Sequence, residues 1–497
     1  MYKRCTRQRW RCGAGNASQE SSNQRTTGWG TSEHDDTPIK MTWHGPPYWW
    51  RLLRRPLLGA GLLALLLLRA EGPRSFAARP AASWVGDLAE SERIYEGVDI
   101  ARVHAVHLPL FWIAEQRLPS RTDHRDPVFL ELYDAVARDR VLAHLVVRWR
   151  DELRATLPSQ AEIRQIEDDW NAVMLKRGLP WTVRTPLDDE TRRWGHVALS
   201  YYVERRDLVD TEAGGFSVLY ARRADRLNIR EGYFGWSNPR TGEALVVLDR
   251  VAGFARADIW PLMDPQGAAF DESISVSLGI ALRAEVARVV AGGNVEALAD
   301  SARVRSQQLR IMRDVNARAE CGSRLVLDSA TTRGPESAEL RALRSHLSPV
   351  RSTCPELTQR EWELLRVTNR RLEDAPQLDA ALDELTWVAA GIVADHELQH
   401  LVDDTYGLWR SGEIPGQAGH AAHGADHEAS AYLGAIHRSE TPYLALLMAC
   451  RVATAGPQPL RDHVRRALIG VDSAHCAGAA PQHISERAYV RWEQLFE

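Results

Sequence analysis

Lysine is almost missing from this chain. Lys3, Lys40 and Lys176 are the only three, and arginine supplies the rest of the 62 basic residues. That usage fits a GC-rich genome better than a basic binding patch. Ten Lys/Arg against four Asp/Glu give residues 1–55 a balance of +6; the whole chain carries −4, so the remainder carries −10. An acidic body offers no general electrostatic reason to bind nucleic acid. Cysteine is scarce as well, six in 497 residues, and none has the spacing of a metal-binding pair, which excludes a cysteine-based zinc site. No apolar run is long enough to cross a bilayer comfortably. Internal repeats, a Walker loop, a dinucleotide fingerprint and a nucleophile elbow are all absent, which removes the commonest nucleotide-binding and serine-hydrolase readings.

What is present begins with a leader. Residues 1–40 are polar and rich in Gly, Ser, Thr and Asn, without apolar periodicity, and are expected to be disordered. Arg51, Arg54 and Arg55 then precede an apolar run from Leu57 to Leu68, the length of a signal-peptide core. Ser75-Phe76-Ala77 places small residues where a signal peptidase reads, so export through residues 41–77 is expected, with Met41 as the translation start. Arg54-Arg55-Pro56-Leu57-Leu58 is weakly similar to a twin-arginine signal. No cysteine follows the run, which argues against a lipid anchor; the alternative is an uncleaved anchor at 57–68. Outside the leader, Cys321, Cys354, Cys450 and Cys476 form an even set that suits an exported chain. Sequence neighbours would pair as Cys321–Cys354 and Cys450–Cys476, one of three connectivities.

The chemistry is concentrated at His396-Glu397-Leu398-Gln399-His400. Leu382, Leu385, Ala389, Ile392 and Val393 recur at helical spacing and lead into this stretch, with Pro376 and Gly407 as start and stop signals. Positions four apart share a helix face, so His396 and His400 project side by side and suit one Zn2+. Glu397 lies one residue round, placed to act on a water as general base without being a ligand. Chance supplies such a pattern only about 0.04 times in a chain of this histidine content. Glu428 is the best third ligand, on a second helix that Asp426 would cap and whose Ala431 and Ala435 allow close approach. His420, His423 and His427, read as belonging in or beside a Gly- and Ala-rich connecting loop, are rivals for that role. Candidates for stabilising an oxyanion are these histidines with Tyr406, Tyr432 and His437.

From His396 to about Ala435 the chain resembles the zincin metallopeptidases, specifically the gluzincins, in which a glutamate on a second helix completes an HExxH zinc site. The resemblance implies His396, His400 and Glu428 as ligands and Glu397 as the water-activating residue. A metzincin pattern does not fit, because Asp403 stands where its glycine would be and Tyr406 where its third histidine would be. Many gluzincins carry an acidic residue four places after the ligand glutamate; here that place holds Tyr432.

Around the motif, the expected fold is α+β, mainly helical with an antiparallel β meander, and with zincin-like catalytic helices in the C-terminal part. Residues 1–77 form the leader, 78–265 a helical segment followed by a β-rich region, and 266–497 the catalytic region. Val128 to Leu157 reads as one long helix, and Ser159-Gln160-Ala161-Glu162 as a capping box opening another that runs to Met174. Val197–Val203, Phe216–Tyr220 and Ala244–Leu248 read as strands within a meander from about Trp181 to Asp264. Ser275–Val290 and Val295–Ala317 read as helices, Ser329–Ser337 as a loop, and Thr358-Gln359-Arg360-Glu361 as a further helix start. These readings describe an exported zinc peptidase acting on a peptide or protein, with membrane contact only through the signal segment. The alternative is a catalytically inactive zincin-like scaffold or binding protein of the cell envelope.

Overall fold

The computed structural model describes residues 88–116, 125–185, 198–225, 234–265, 274–318, 358–407, 419–456, 460–469, 471 and 482–494. The leader, the 57–68 run, the 329–337 loop and Cys321, Cys354 and Cys476 lie outside them, and with those cysteines both disulfide pairings. The fold is α+β and mainly helical, as the patterning implies. Among the described residues no helix is long and apolar enough to cross a membrane.

The chain enters through a two-stranded hairpin, β1 (Ile94–Tyr95) and β2 (Val98–Asp99), whose turn residues Glu96 and Gly97 both have positive φ. Helices α1 (Leu108–Gln116), α2 (Arg125–Val136), α3 (Arg140–Leu153) and α4 (Gln160–Lys176) follow. The long helix expected over 128–157 is therefore two. Its break is set by Asp139, whose carboxylate accepts from the backbone N–H of Val141 at 3.0 Å and Leu142 at 3.1 Å. An aspartate that captures these amides caps a new helix and cannot sit inside an old one. At α4 only half the capping box forms. Ser159 Oγ accepts from Glu162 N, whereas the Glu162 carboxylate turns to Arg148.

Five strands then build one sheet in the order β3-β4-β5-β7-β6, with β3 (Trp181–Arg184), β4 (Leu199–Thr211), β5 (Gly214–Arg223), β6 (Gly235–Asn238) and β7 (Glu243–Val247). The antiparallel meander holds through β3, β4 and β5, and β6 and β7 form a second antiparallel hairpin. Between these two units β5 and β7 run parallel, a pairing the meander reading did not include. Alternate residues face opposite ways. Phe216, Val218, Tyr220, Ala244 and Val246 join one core with the C-terminal helices, and Leu219, Ala221, Leu245 and Val247 join another with α1 to α4. The sheet is thus a middle layer, and N-terminal and C-terminal helices share it.

After β7 come α5 (Leu248–Phe254), α6 (Val276–Val289), α7 (Gly292–Arg318) and α8 (Gln359–Glu373). The Thr358/Glu361 capping box forms completely, each side chain taking the other's backbone amide. The motif helix, α9 (Leu378–Tyr406), follows and is buried along most of its length. It ends where Gly407 adopts φ +67° and returns its N–H to the last carbonyls, the left-handed stop that glycine permits. Last are α10 (Gly419–Arg438), α11 (Pro442–Ala455), α12 (Leu460–Ala467) and α13 (Ile484–Glu493). Helix α10 starts seven residues before Asp426, so His420 and His423 lie in a helix, not in a loop. Asp426 does not cap α10; its carboxylate is bonded to His463 Nδ1.

Candidate metal centre

Helix α9 carries His396 and His400 on one face, their rings 4.9 Å apart and nearly perpendicular. Helix α10 lays Glu428 across both. His396 Nε2 lies 3.3 Å from Glu428 Oε2, and His400 Nε2 lies 3.6 Å from Oε1. These separations decide what the cluster resembles. A charge-assisted hydrogen bond closes to about 2.7–2.9 Å. Two donors held about 2.1 Å from one tetrahedral ion stand about 3.4 Å apart. The observed pairs are wider than such a hydrogen bond and near the spacing of shared donors; all three donor atoms lie within 4.8 Å of one another, so the trio could hold a metal ion. The expected trio is thus brought together. Among the described residues it is the one group of three or more His, Cys, Asp or Glu placed to hold a metal ion.

Each imidazole is also held by a ring from α10. Tyr432, one turn after Glu428, packs on His396 with centroids 4.5 Å apart, and His427, just before Glu428, packs on His400 at 4.2 Å. His396 Nδ1 and His400 Nδ1 are buried with no hydrogen-bond partner among the described residues. Apart from Glu428, α10 thus meets the two imidazole rings through aromatic packing. Tyr406 and His437 do not join the cluster. Tyr406 is half exposed at the end of α9, and His437 faces Ser485 and Tyr489. The side chains of His420 and His423 lie outside the described residues.

Before any ion binds, burial and mutual charge set the protonation of the group. Burial pushes the Glu428 carboxyl up, but contact with His396 and His400 overcomes it and holds the acid well below the usual range. Burial alone would lower His400, yet the Glu428 carboxylate raises it to about 9; for His396 burial prevails and the shift is downward. Burial drives Glu397 up to about 8, with His400 opposing and Glu428 adding to the rise.

Glu397 turns toward the sheet. Strand β6 comes so close that a Cβ on Gly235 would stand 3.0 Å from both Glu397 Cγ and Oε1, and 2.5 Å from the Leu245 carbonyl. Only glycine allows that approach. His396, Glu397 and His400 are each buried, while the Glu428 side chain is 40% exposed although its oxygens turn inward, so access to the group is along Glu428. Gly235, Gln399, Asp403 and Ser430 are site neighbours that the pattern of the chain did not single out. Asp403 recurs at helical spacing after Gln399, a usable signal; Ser430 and Gly235 carry none, because only the fold brings them to α9. Compared with protein-family models, curated proteins and solved structures, the chain matches none.

Proposed function

We propose that this chain is a zinc-dependent hydrolase of peptide bonds, exported through its leader and acting on a peptide or protein. The observation that carries the reading is the convergence of His396, His400 and Glu428 at coordination spacing, with Glu397 beside them but outside the donor set. Zinc at such donors supplies a Lewis acid that polarises a carbonyl and lowers the pKa of a bound water. The residues do the rest. His396, His400 and Glu428 would hold the ion, with Glu428 on the exposed side of the group. Glu397, raised to about 8 by burial and by Glu428 while His400 opposes the rise, lies beside the trio and can both accept and return a proton. It takes a proton from water and delivers it to the leaving amine. Strand β6, last in the sheet and next to Glu397, presents an edge along which an extended peptide can add as a further strand.

The test is a pair of substitutions read by two assays. Glu397→Gln retains zinc and loses at least about 100-fold in hydrolysis of a broad peptide library, the scale of general-base catalysis. His400→Ala loses zinc and activity together. A Glu397→Gln protein that cleaves at the wild-type rate removes the general base from the proposal. Wild-type protein that binds zinc yet cleaves nothing in the library favours the scaffold alternative.

A further inference from the structure

Asp403 lies three residues beyond His400 and is wholly buried. One carboxylate oxygen accepts from Gln399 Nε2 at 2.6 Å, on its own helix; the other accepts from Ser430 Oγ at 2.6 Å, on α10. Ser430 in turn accepts from Trp492 Nε1 of α13 at 2.9 Å. Gln399 Oε1 accepts from Arg438 Nε at 3.1 Å, and Arg438 pairs with Glu212 in the β4–β5 turn. The two helices can approach this far because residue 434 is glycine. A Cβ there would fall 2.3–2.6 Å from three atoms of the Gln399 side chain.

A buried carboxylate is an expensive way to hold two helices together. Removing it from water costs several kcal/mol, whereas an apolar pair of similar volume would pack there at no such cost. What a carboxylate adds is direction. Short hydrogen bonds to both its oxygens, from Gln399 on α9 and Ser430 on α10, fix how far α10 slides along α9 and how it is rotated. Ser430 is two residues from Glu428, so a slip of the Ser430 contact displaces the Glu428 carboxylate by a similar amount. The Glu428 oxygens stand only 3.3 and 3.6 Å from the two imidazole nitrogens, which leaves little room for that.

We propose that Asp403, through Ser430, is the positioning residue of the metal site: it sets the register of α10 on α9 and so presents Glu428 to the two imidazoles. This rests on the reading of His396, His400 and Glu428 as zinc ligands, and the experiment separates the two. Zinc affinity of the full chain is measured by competition with a chromogenic chelator, for wild type, Ser430→Ala, Asp403→Asn, Glu428→Ala and the double variant Ser430→Ala/Glu428→Ala. Melting with chelator present reports the fold.

Ser430→Ala and Asp403→Asn are expected to weaken zinc binding about 10-fold, the low end of what losing a group bonded directly to a ligand costs, because they act on Glu428 through the helix. In the Glu428→Ala background Ser430→Ala should change the residual affinity by less than about 2-fold, because the ligand it positions is gone. Should Asp403→Asn fail to fold, the serine variant carries the test. If Glu428→Ala weakens binding and Ser430→Ala does not, the positioning role is overturned while the ligand reading stands. If Ser430→Ala weakens binding equally with and without Glu428, its effect is general and the proposal is again overturned. If Glu428→Ala binds zinc like wild type, the ligand reading itself is lost and the proposal goes with it.

Discussion

Tyr432 stands where a gluzincin pattern would put an acid, and its contact with His396 is through the ring. On the proposed zinc site the ring is expected to matter for metal binding and the hydroxyl is not. Tyr432→Phe should leave zinc affinity within about 2-fold, while Tyr432→Ala, which empties a buried site, should cost about 3–5 kcal/mol in stability and weaken zinc. Chelator competition and thermal melting check both, and a Phe variant that loses zinc would show that the hydroxyl orients the ligand. A second buried acid makes a pH prediction away from the site. Glu285 accepts from the N–H groups of Tyr443 and Leu444 at the start of α11, at 3.0 and 2.9 Å. Burial nonetheless outweighs these bonds and pushes it up to about 7. A carboxyl raised in the folded state favours folding while it stays protonated. Its contribution is thus complete below the ordinary value near 4.5 and is lost as pH climbs through about 7, on the order of 3 kcal/mol in all. Glu285→Gln should flatten the stability profile between pH 4.5 and 7 relative to wild type, as read from denaturant midpoints. Parallel profiles would contradict the assignment.

At the scale of elements, β6 against α9 is the contact on which catalysis would depend. Gly235→Ala forces either the strand or Glu397 to move, since a methyl there meets the Leu245 carbonyl and Glu397 together. Overpacking of this kind costs about 1–3 kcal/mol. The variant should also lose peptide hydrolysis while keeping zinc, because the donors sit on α9 and α10. Full activity with an unchanged melting temperature would mean that strand and glutamate are not in contact. How far these elements could be read from sequence follows local rules. The motif helix, the Thr358 cap and the Gly407 stop were legible because each is written within a few residues. The break at Asp139 was readable in principle, but the apolar spacing across it hid the cap. The early start of α10 was missed because Gly419-His420-Ala421-Ala422-His423-Gly424-Ala425 looks like loop by composition, whereas its alanines are strong helix formers. The parallel β5–β7 pair was not legible at all: it depends on β6 folding back first, which no periodicity records.

For the molecule as a whole, the sheet explains why two of its strands read as continuous apolar runs. Leu219-Tyr220-Ala221 and Leu245-Val246-Val247 are apolar at every position because both faces are covered, so the alternation that marks a half-exposed strand is missing. The same layering carries α9 across the C-terminal face and sets Glu397 beside the end strand. The grouping of His396, His400 and Glu428 was legible before the fold was known, through the spacing of two histidines and a glutamate on a following helix. The packing that brings it together was not, because Asp403, Ser430 and Gly434 act across elements. The most direct measurement is the metal content of the full chain after exhaustive dialysis against zinc-buffered solution. The account predicts one zinc per chain, released when His400 is replaced by alanine. Protein that retains no metal, or retains as much without His400, would contradict it.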